Sequence, residues 1–140
     1  MTSATTAPAL ALFASPHDRS GIPMNPDSLK DLITAAVAFR DQRDWAQFHS
    51  PKELAISLAV ESAELIQLMQ WYQGDELRRV IREKHAHLTD ELADVLFSVL
   101  LLAAELKVDL GLAFLDKLEK TAAKYPVDKS RGSPKKYTEL

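Results

Sequence analysis

Cysteine is absent from the 140 residues of this chain, which removes disulfides, thiolate metal ligands and cysteine nucleophiles at once. A reducing, cytoplasmic setting agrees with that composition. Glycine is scarce, at 4 residues, and Ala, Leu, Glu, Lys and Gln dominate the middle of the chain, which favours helix over sheet. Long apolar runs are missing too. The stretch from Val99 to Ala104 falls far short of the about 18 residues expected of a membrane span. A formal charge of −3 offers no general attraction to nucleic acid polymers or anionic membranes. An anionic substrate would therefore need the help of a cation. What is present, 46% hydrophobic and 26% charged residues, suits one globular domain with a real core.

Residues 1–26 are rich in Thr, Ser, Ala and Pro without a sustained period, and read as a flexible arm. Within it, Ala9 to Ala14 is short for a secretory core and no Lys or Arg precedes it. The helical domain is expected over 27–126, followed by a basic tail over 127–140. Leu29, Leu32, Ile33, Ala36 and Val37 recur at helical spacing, with Asp27 or Ser28 available as N-cap, and predict a first helix from Asp27 to Arg43. Ser50-Pro51-Lys52-Glu53 then reads as N-cap, Pro at N1 and capping-box Glu. The second helix is expected to run from Pro51 to about Tyr72, with Gly74 as its stop. A long third helix ends near Leu106, with a short helix over 75–84 as an option ahead of it. Its later half is apolar nearly all round, as in a helix covered on several sides by its own domain or a second subunit. A fourth helix starts after Asp109 and ends before Tyr125-Pro126. The fold class is all-α, a four-helix bundle.

Two motifs carry the chemistry. Glu61-Ser62-Ala63-Glu64 and Glu91-Leu92-Ala93-Asp94 each place two carboxylates three residues apart, neighbours on a helix at about 5–6 Å between Cβ atoms. Glu61 falls on the seam Leu54, Leu58, Glu61, Leu65, Leu68, and Glu91 on the seam Leu88, Glu91, Val95, Ser98, Leu102. Each is an acid where an aliphatic residue belongs. Burying unpaired carboxylates costs several kcal/mol per ion, and neither helix supplies Lys or Arg on that face. A hard divalent cation answers the charge, and Mg2+ suits carboxylates that share an ion with waters and substrate phosphates. One isolated ExxE is better read as a solvated face; two on apolar helices are not. A di-iron or di-manganese bundle calls for Glu-x-x-His motifs, and His85 and His87 stand at the wrong offsets for it.

Trp45, Phe48, His49 and Trp71 cluster at loop or helix-end positions, where planar rings stack a nucleobase or simply close the bundle ends. Lys117, Lys120 and Lys124 decorate the last helix, either as point charges for phosphate or as an ordinary wet surface.

Together, Arg43-Asp44-Trp45-Ala46-Gln47-Phe48-His49, Glu61-x-x-Glu64, Gln70-Trp71, Glu91-Leu92-x-Asp94-Val95-Leu96, Lys124-Tyr125-Pro126 and the closing Lys136-Tyr137-Thr138-Glu139-Leu140 form a pattern. It resembles the MazG-like all-α nucleotide pyrophosphohydrolases, above all their dCTP pyrophosphatase branch, over nearly everything from Asp27 onward. The resemblance implies hydrolysis of a nucleoside triphosphate, dCTP or a modified dCTP among them, to the monophosphate and pyrophosphate, as nucleotide-pool house-cleaning. It implies Mg2+, with Mn2+ as a substitute, held by Glu61, Glu64, Glu91 and Asp94. By the same analogy Trp45, His49 and Trp71 shape the base pocket, Lys117 and Lys124 approach the triphosphate, and the chain works as a homodimer or homotetramer. Three departures leave the base open: Thr121 where the family carries Asn, Ala36 where the branch carries His, and Ser98 where it carries Tyr. The competing reading is a non-catalytic helical module that binds a partner protein through its apolar third helix.

Overall fold

A computed structural model describes Asn25 and residues 28–139. Apart from Asn25, the expected N-terminal arm lies outside the described residues, as do Asp27 and Leu140. No strand occurs among the described residues, so the all-α expectation holds. The chain divides into two compact units, residues 1–106 and 107–140.

In the first unit, α1 spans Leu29–Asp41. Ser28 is the cap: its Oγ accepts from the Asp31 amide at 3.3 Å, satisfying one of the amides that a helix start leaves without an intrahelical partner. The helix stops two residues before Arg43. Arg43 and Asp44 instead donate their amides three residues back, to Arg40 and Asp41, and Asp44 takes a left-handed φ of 54°, a conformation Asp tolerates better than most residues. That turn delivers a 3-10 helix over Trp45–Phe48. Gln47 clamps it, its Nε2 donating to the Asp44 carbonyl at 2.9 Å and the Asp44 carboxylate at 3.1 Å.

Helix α2 spans Pro51–Gln67 and opens as the sequence signals, with Pro at the first turn and the Ser50 hydroxyl accepting from the Glu53 amide. The Glu53 carboxylate, expected to close a capping box, pairs with Lys52 at 3.1 Å. The expected continuation to Tyr72 does not occur. Beyond Gln67 the amide of Met69 bonds three residues back, to Ile66, which tightens the turn and ends the helix, with Leu68, Met69 and Tyr72 half-buried and Gln70 and Trp71 exposed. Gly74 is not the stop of α2. It begins α3, Gly74–Glu83, at a φ of +54° that glycine adopts without the Cβ penalty. Asp75 and Glu76 follow in the first turn, where the helix dipole favours negative charge.

Helix α4 spans His85–Glu105 and is the spine of this unit, packing most extensively on α2 and next on α1. Its second half is buried at Ser98, Leu100, Leu101 and Ala103, whereas Leu92 and Leu96 in the first half are 59% and 42% exposed. The core joins Leu100 and Leu101 to Ala36 and Leu54, with Leu29, Leu32, Ile33, Val37, Phe97 and Leu102 packed around them. Arg40 on α1 is buried, and it pairs with Asp41 at 2.8 Å and with Glu105 at the end of α4. A buried charge is tolerable only when paired in this way. The hydrogen bond that Arg40 donates to Asp41, against the opposing effect of burial, and then that to Glu105 raise the Arg40 pKa further.

The second unit contains α5, Leu110–Lys124, and a one-turn α6, Val127–Ser130. Asp109 caps α5 as expected, accepting from the Leu112 amide at 3.0 Å. Tyr137 packs edge-on against Tyr125 at 5.9 Å, and the Lys124 ammonium lies 5.0 Å from the Tyr137 ring centre.

Candidate functional site

The two seams meet as their spacing requires. Glu61 on α2 and Glu91 on α4 are half-buried, whereas Glu64 and Asp94, on the outer sides of their motifs, are exposed. Because α2 and α4 are the most extensively packed pair, the two claws close on one another. One carboxylate oxygen from each of Glu61, Glu64 and Glu91 lies within 4.8 Å of the others. Asp94 falls outside that group of three, yet it stands near enough to act on Glu61. Burial pushes the Glu61 carboxyl above its ordinary range, and the charges of Asp94, Glu64 and Glu91 push it further in the same direction. Among the described residues no Lys, Arg or His forms an ion pair with any of the four. Oxygen-only donors at this spacing, with like charges and no organic cation among them, fit a hard divalent ion.

Beside the claws, α1 and α4 leave an open cleft of about 390 Å³ lined by Leu32, Ala35, Ala36, Phe39, Ala93, Asp94, Leu96, Phe97 and Leu100. Its volume is at the small end of ligand pockets, and among the described lining residues only Asp94 has a polar side chain. Ala36 lines this cleft on the α1 side, and Ser98 is buried in α4.

The aromatic residues separate into two places. Trp45 and His49 face each other edge-on at 6.2 Å, and Trp45 meets Phe39 at 6.1 Å, which connects the 3-10 helix to the cleft wall. The Nδ1 atom of His49 is buried without a hydrogen-bond partner, a cost that folded proteins keep for a reason. Phe48 and Trp71 stand out in solvent at 63% and 81% exposure. Lys117 and Lys124 are on α5 in the second unit, both exposed. Thr121, one turn from each, spends its hydroxyl proton on the Lys117 carbonyl at 2.8 Å. Sequence reasoning left Phe39 and Phe97 unassigned. The signal for Phe39 was its place four residues before Arg43, whose guanidinium carbon lies 3.5 Å from the Phe39 ring centre.

An all-α chain with paired acidic motifs on two packed helices defines a class, and the comparisons agree with it: residues 56–140 match the MazG-like family, and the chain belongs to that family. Within it the chain falls in the dCTP pyrophosphatase branch. It is 39% identical over 115 residues to dCTP pyrophosphatase 1 of Bos taurus and, equally, to that of Homo sapiens, covering 81% of this chain and 68% of each relative. A crystal structure of a pyrophosphatase from Archaeoglobus fulgidus superposes with a TM-score of 0.67 at 35% identity, covering 70% of this chain and 92% of that one.

Proposed function

We propose that this chain hydrolyses nucleoside triphosphates, cytosine deoxynucleotides among them, to the monophosphate and pyrophosphate. The observation that carries the reading is the cluster of Glu61, Glu64 and Glu91, three carboxylates gathered without a basic partner, in a chain similar to proteins named dCTP pyrophosphatase. Glu61, Glu64, Glu91 and Asp94 are the proposed ligands of Mg2+, or of Mn2+ in its place. When bound, the ion supplies screening of phosphate charge and acidifies water.

The protein's own groups do the rest. The half-buried Glu61 and Glu91 hold their carboxylates on the packed seam, so they are ordered before any ligand arrives, and attack by water is directed at the α-phosphorus. Asp94 joins the acidic site to the apolar cleft, whose walls offer a nucleotide an apolar surface beside the carboxylates. Trp45 offers a ring to the base, His49 packs edge-on against that ring, and Trp71 offers an exposed ring. Lys117 and Lys124 are the proposed phosphate-facing cations, the role that the family resemblance assigns them.

The same reading takes the protein as a cytoplasmic homo-oligomer. Leu92 and Leu96 on α4 and Ile56, Val60 and Ile66 on α2 leave large apolar side chains exposed, more than a monomer's scattered surface residues account for, and a second copy is the proposed cover. No helix among the described residues is long and apolar enough to cross a membrane.

Purified protein incubated with Mg2+ and a panel of canonical and modified deoxynucleoside triphosphates should release monophosphate and pyrophosphate. Turnover of none of them above the buffer control would refute the proposal and leave a non-catalytic helical module.

A further inference from the structure

Arg43 opens the motif that joins α1 to the aromatic turn, yet neither the metal nor the phosphates claim it. Its guanidinium carbon lies 3.5 Å from the Phe39 ring centre and 5.9 Å from that of Trp45. Its Nη1 donates to the Phe39 carbonyl at 2.9 Å. The group therefore lies over one ring, close to a second, and is tied by a hydrogen bond to the backbone of Phe39.

Phe39 is the hub of the surrounding rings. It meets Phe97 on α4 edge-on at 5.8 Å and 89°, and Trp45 at 6.1 Å and 74°. Phe39, Phe97 and Asp94 all line the cleft, and Asp94 precedes Phe97 by three residues on the same helix, which places the two on one face. A continuous train of contacts thus runs from the acidic helix through Phe97, Phe39 and Trp45 to His49. Arg43 packs on the middle of that train from the solvent side.

We infer that Arg43 is a positioning residue for the nucleobase. Stacked on Phe39 and adjoining Trp45, it holds both rings in the orientation that forms the base-facing wall, without itself meeting phosphate. The assignment rests on the pyrophosphohydrolase reading above. The rival role for an exposed Arg beside a nucleotide site is a direct phosphate contact, and the chemistry of the two differs. A phosphate contact needs charge, which Lys retains. A stacked, tethered plane needs the guanidinium, which Lys lacks.

The test compares Arg43→Lys and Arg43→Met with the wild type on a deoxynucleoside triphosphate and on 2-deoxyribose 5-triphosphate, which has no base. Loss of the tethered guanidinium plane should raise KM for the nucleotide by about 3- to 5-fold in both variants while kcat holds, and should leave KM for the abasic triphosphate unchanged. An equal rise on both substrates, reversed in Arg43→Lys, would overturn the assignment in favour of phosphate binding. The ligand-free protein supplies a second readout, the indole resonance of Trp45 and the ring resonances of Phe39. Both should shift in both variants with the melting temperature nearly unchanged; resonances that stay in place overturn the assignment whatever the kinetics. Wild-type turnover with unaltered KM in the variants removes this assignment alone, whereas a wild type inert on every triphosphate removes the functional reading and this assignment with it.

Discussion

The acidic claws and the aromatic wall lie on neighbouring parts of one helical unit, yet they are held by different means. The carboxylates ride on two long, mutually packed helices, α2 and α4, and their direction follows from helical phase alone. The aromatic wall is assembled from an α1 residue, a 3-10 turn entered through a left-handed Asp44 and an α4 residue, so each ring is positioned by contacts between segments distant in phase. The difference teaches that the proposed charge-handling half of the site rests on helix packing, whereas the proposed base-facing half depends on side chains that brace one another. Damage to the first should stop chemistry, and damage to the second should weaken recognition.

The sharpest way to break that comparison is Asp94→Asn, which leaves the shape of the cleft and removes one charge. Turnover should fall by about 10²-fold or more, with the helical circular dichroism spectrum intact; near-wild-type activity would take Asp94 out of the acidic half. On the other side, Trp45→Ala should raise KM by about 10-fold through lost stacking with little change in kcat. A fall in kcat matching that of Asp94→Asn would erase the division of labour.

Glu61 tests the claim that the claws store unfavourable charge. Its carboxyl is raised above its ordinary 4.5 by burial and by its three acidic neighbours, so the folded, metal-free protein keeps the proton after the unfolded chain has released it. Below 4.5 both states carry the proton and Glu61 contributes nothing. As pH rises from there to the raised value, folding comes to bind a proton that the unfolded state has lost, and stability declines. Thermal melts of metal-free protein across that window should show a steeper loss for the wild type than for Glu61→Gln, and the variant should melt higher at neutral pH. Parallel curves would mean that the charge on Glu61 is compensated without metal. Mg2+ with a nonhydrolysable nucleotide should raise the wild-type midpoint, since a ligand bound only by the folded state stabilises it, and should fail to do so in Glu61→Gln.

The smallest effect belongs to the joint between the two halves. Ser50 ends the aromatic segment and caps the claw-bearing α2, and Ser50→Ala should lower stability by about 1 kcal/mol in denaturant titrations without altering KM or kcat.

Much of this architecture was legible in the residues. The starts of α2 and α5 followed from Ser50-Pro51 and Asp109 because a cap is a local hydrogen bond that needs no tertiary partner. The inward turn of Glu61 and Glu91 followed from seam spacing. The end of α2 did not, because Gly74 signals a left-handed backbone and not which helix it serves. The structure shows the helix giving way to three-residue turns at Met69 and Tyr72 before reaching it. Phe39 was set apart from the other apolar positions on α1 only by its spacing of four from Arg43, since its role comes from Phe97, Arg43 and Trp45 converging on it.

By itself, the sequence determined that this protein is helical, where most helices begin, and that four acids sit in two matched pairs on inward-leaning faces. Those properties are periodic or local, and a chain carries them before it folds. The tertiary structure alone decided that three of the acids converge, that burial and its acidic neighbours raise the Glu61 pKa, and that an apolar cleft with Arg43 over its Phe39 opens beside them. Convergence depends on which helices pack together and at what phase, and no single segment encodes that.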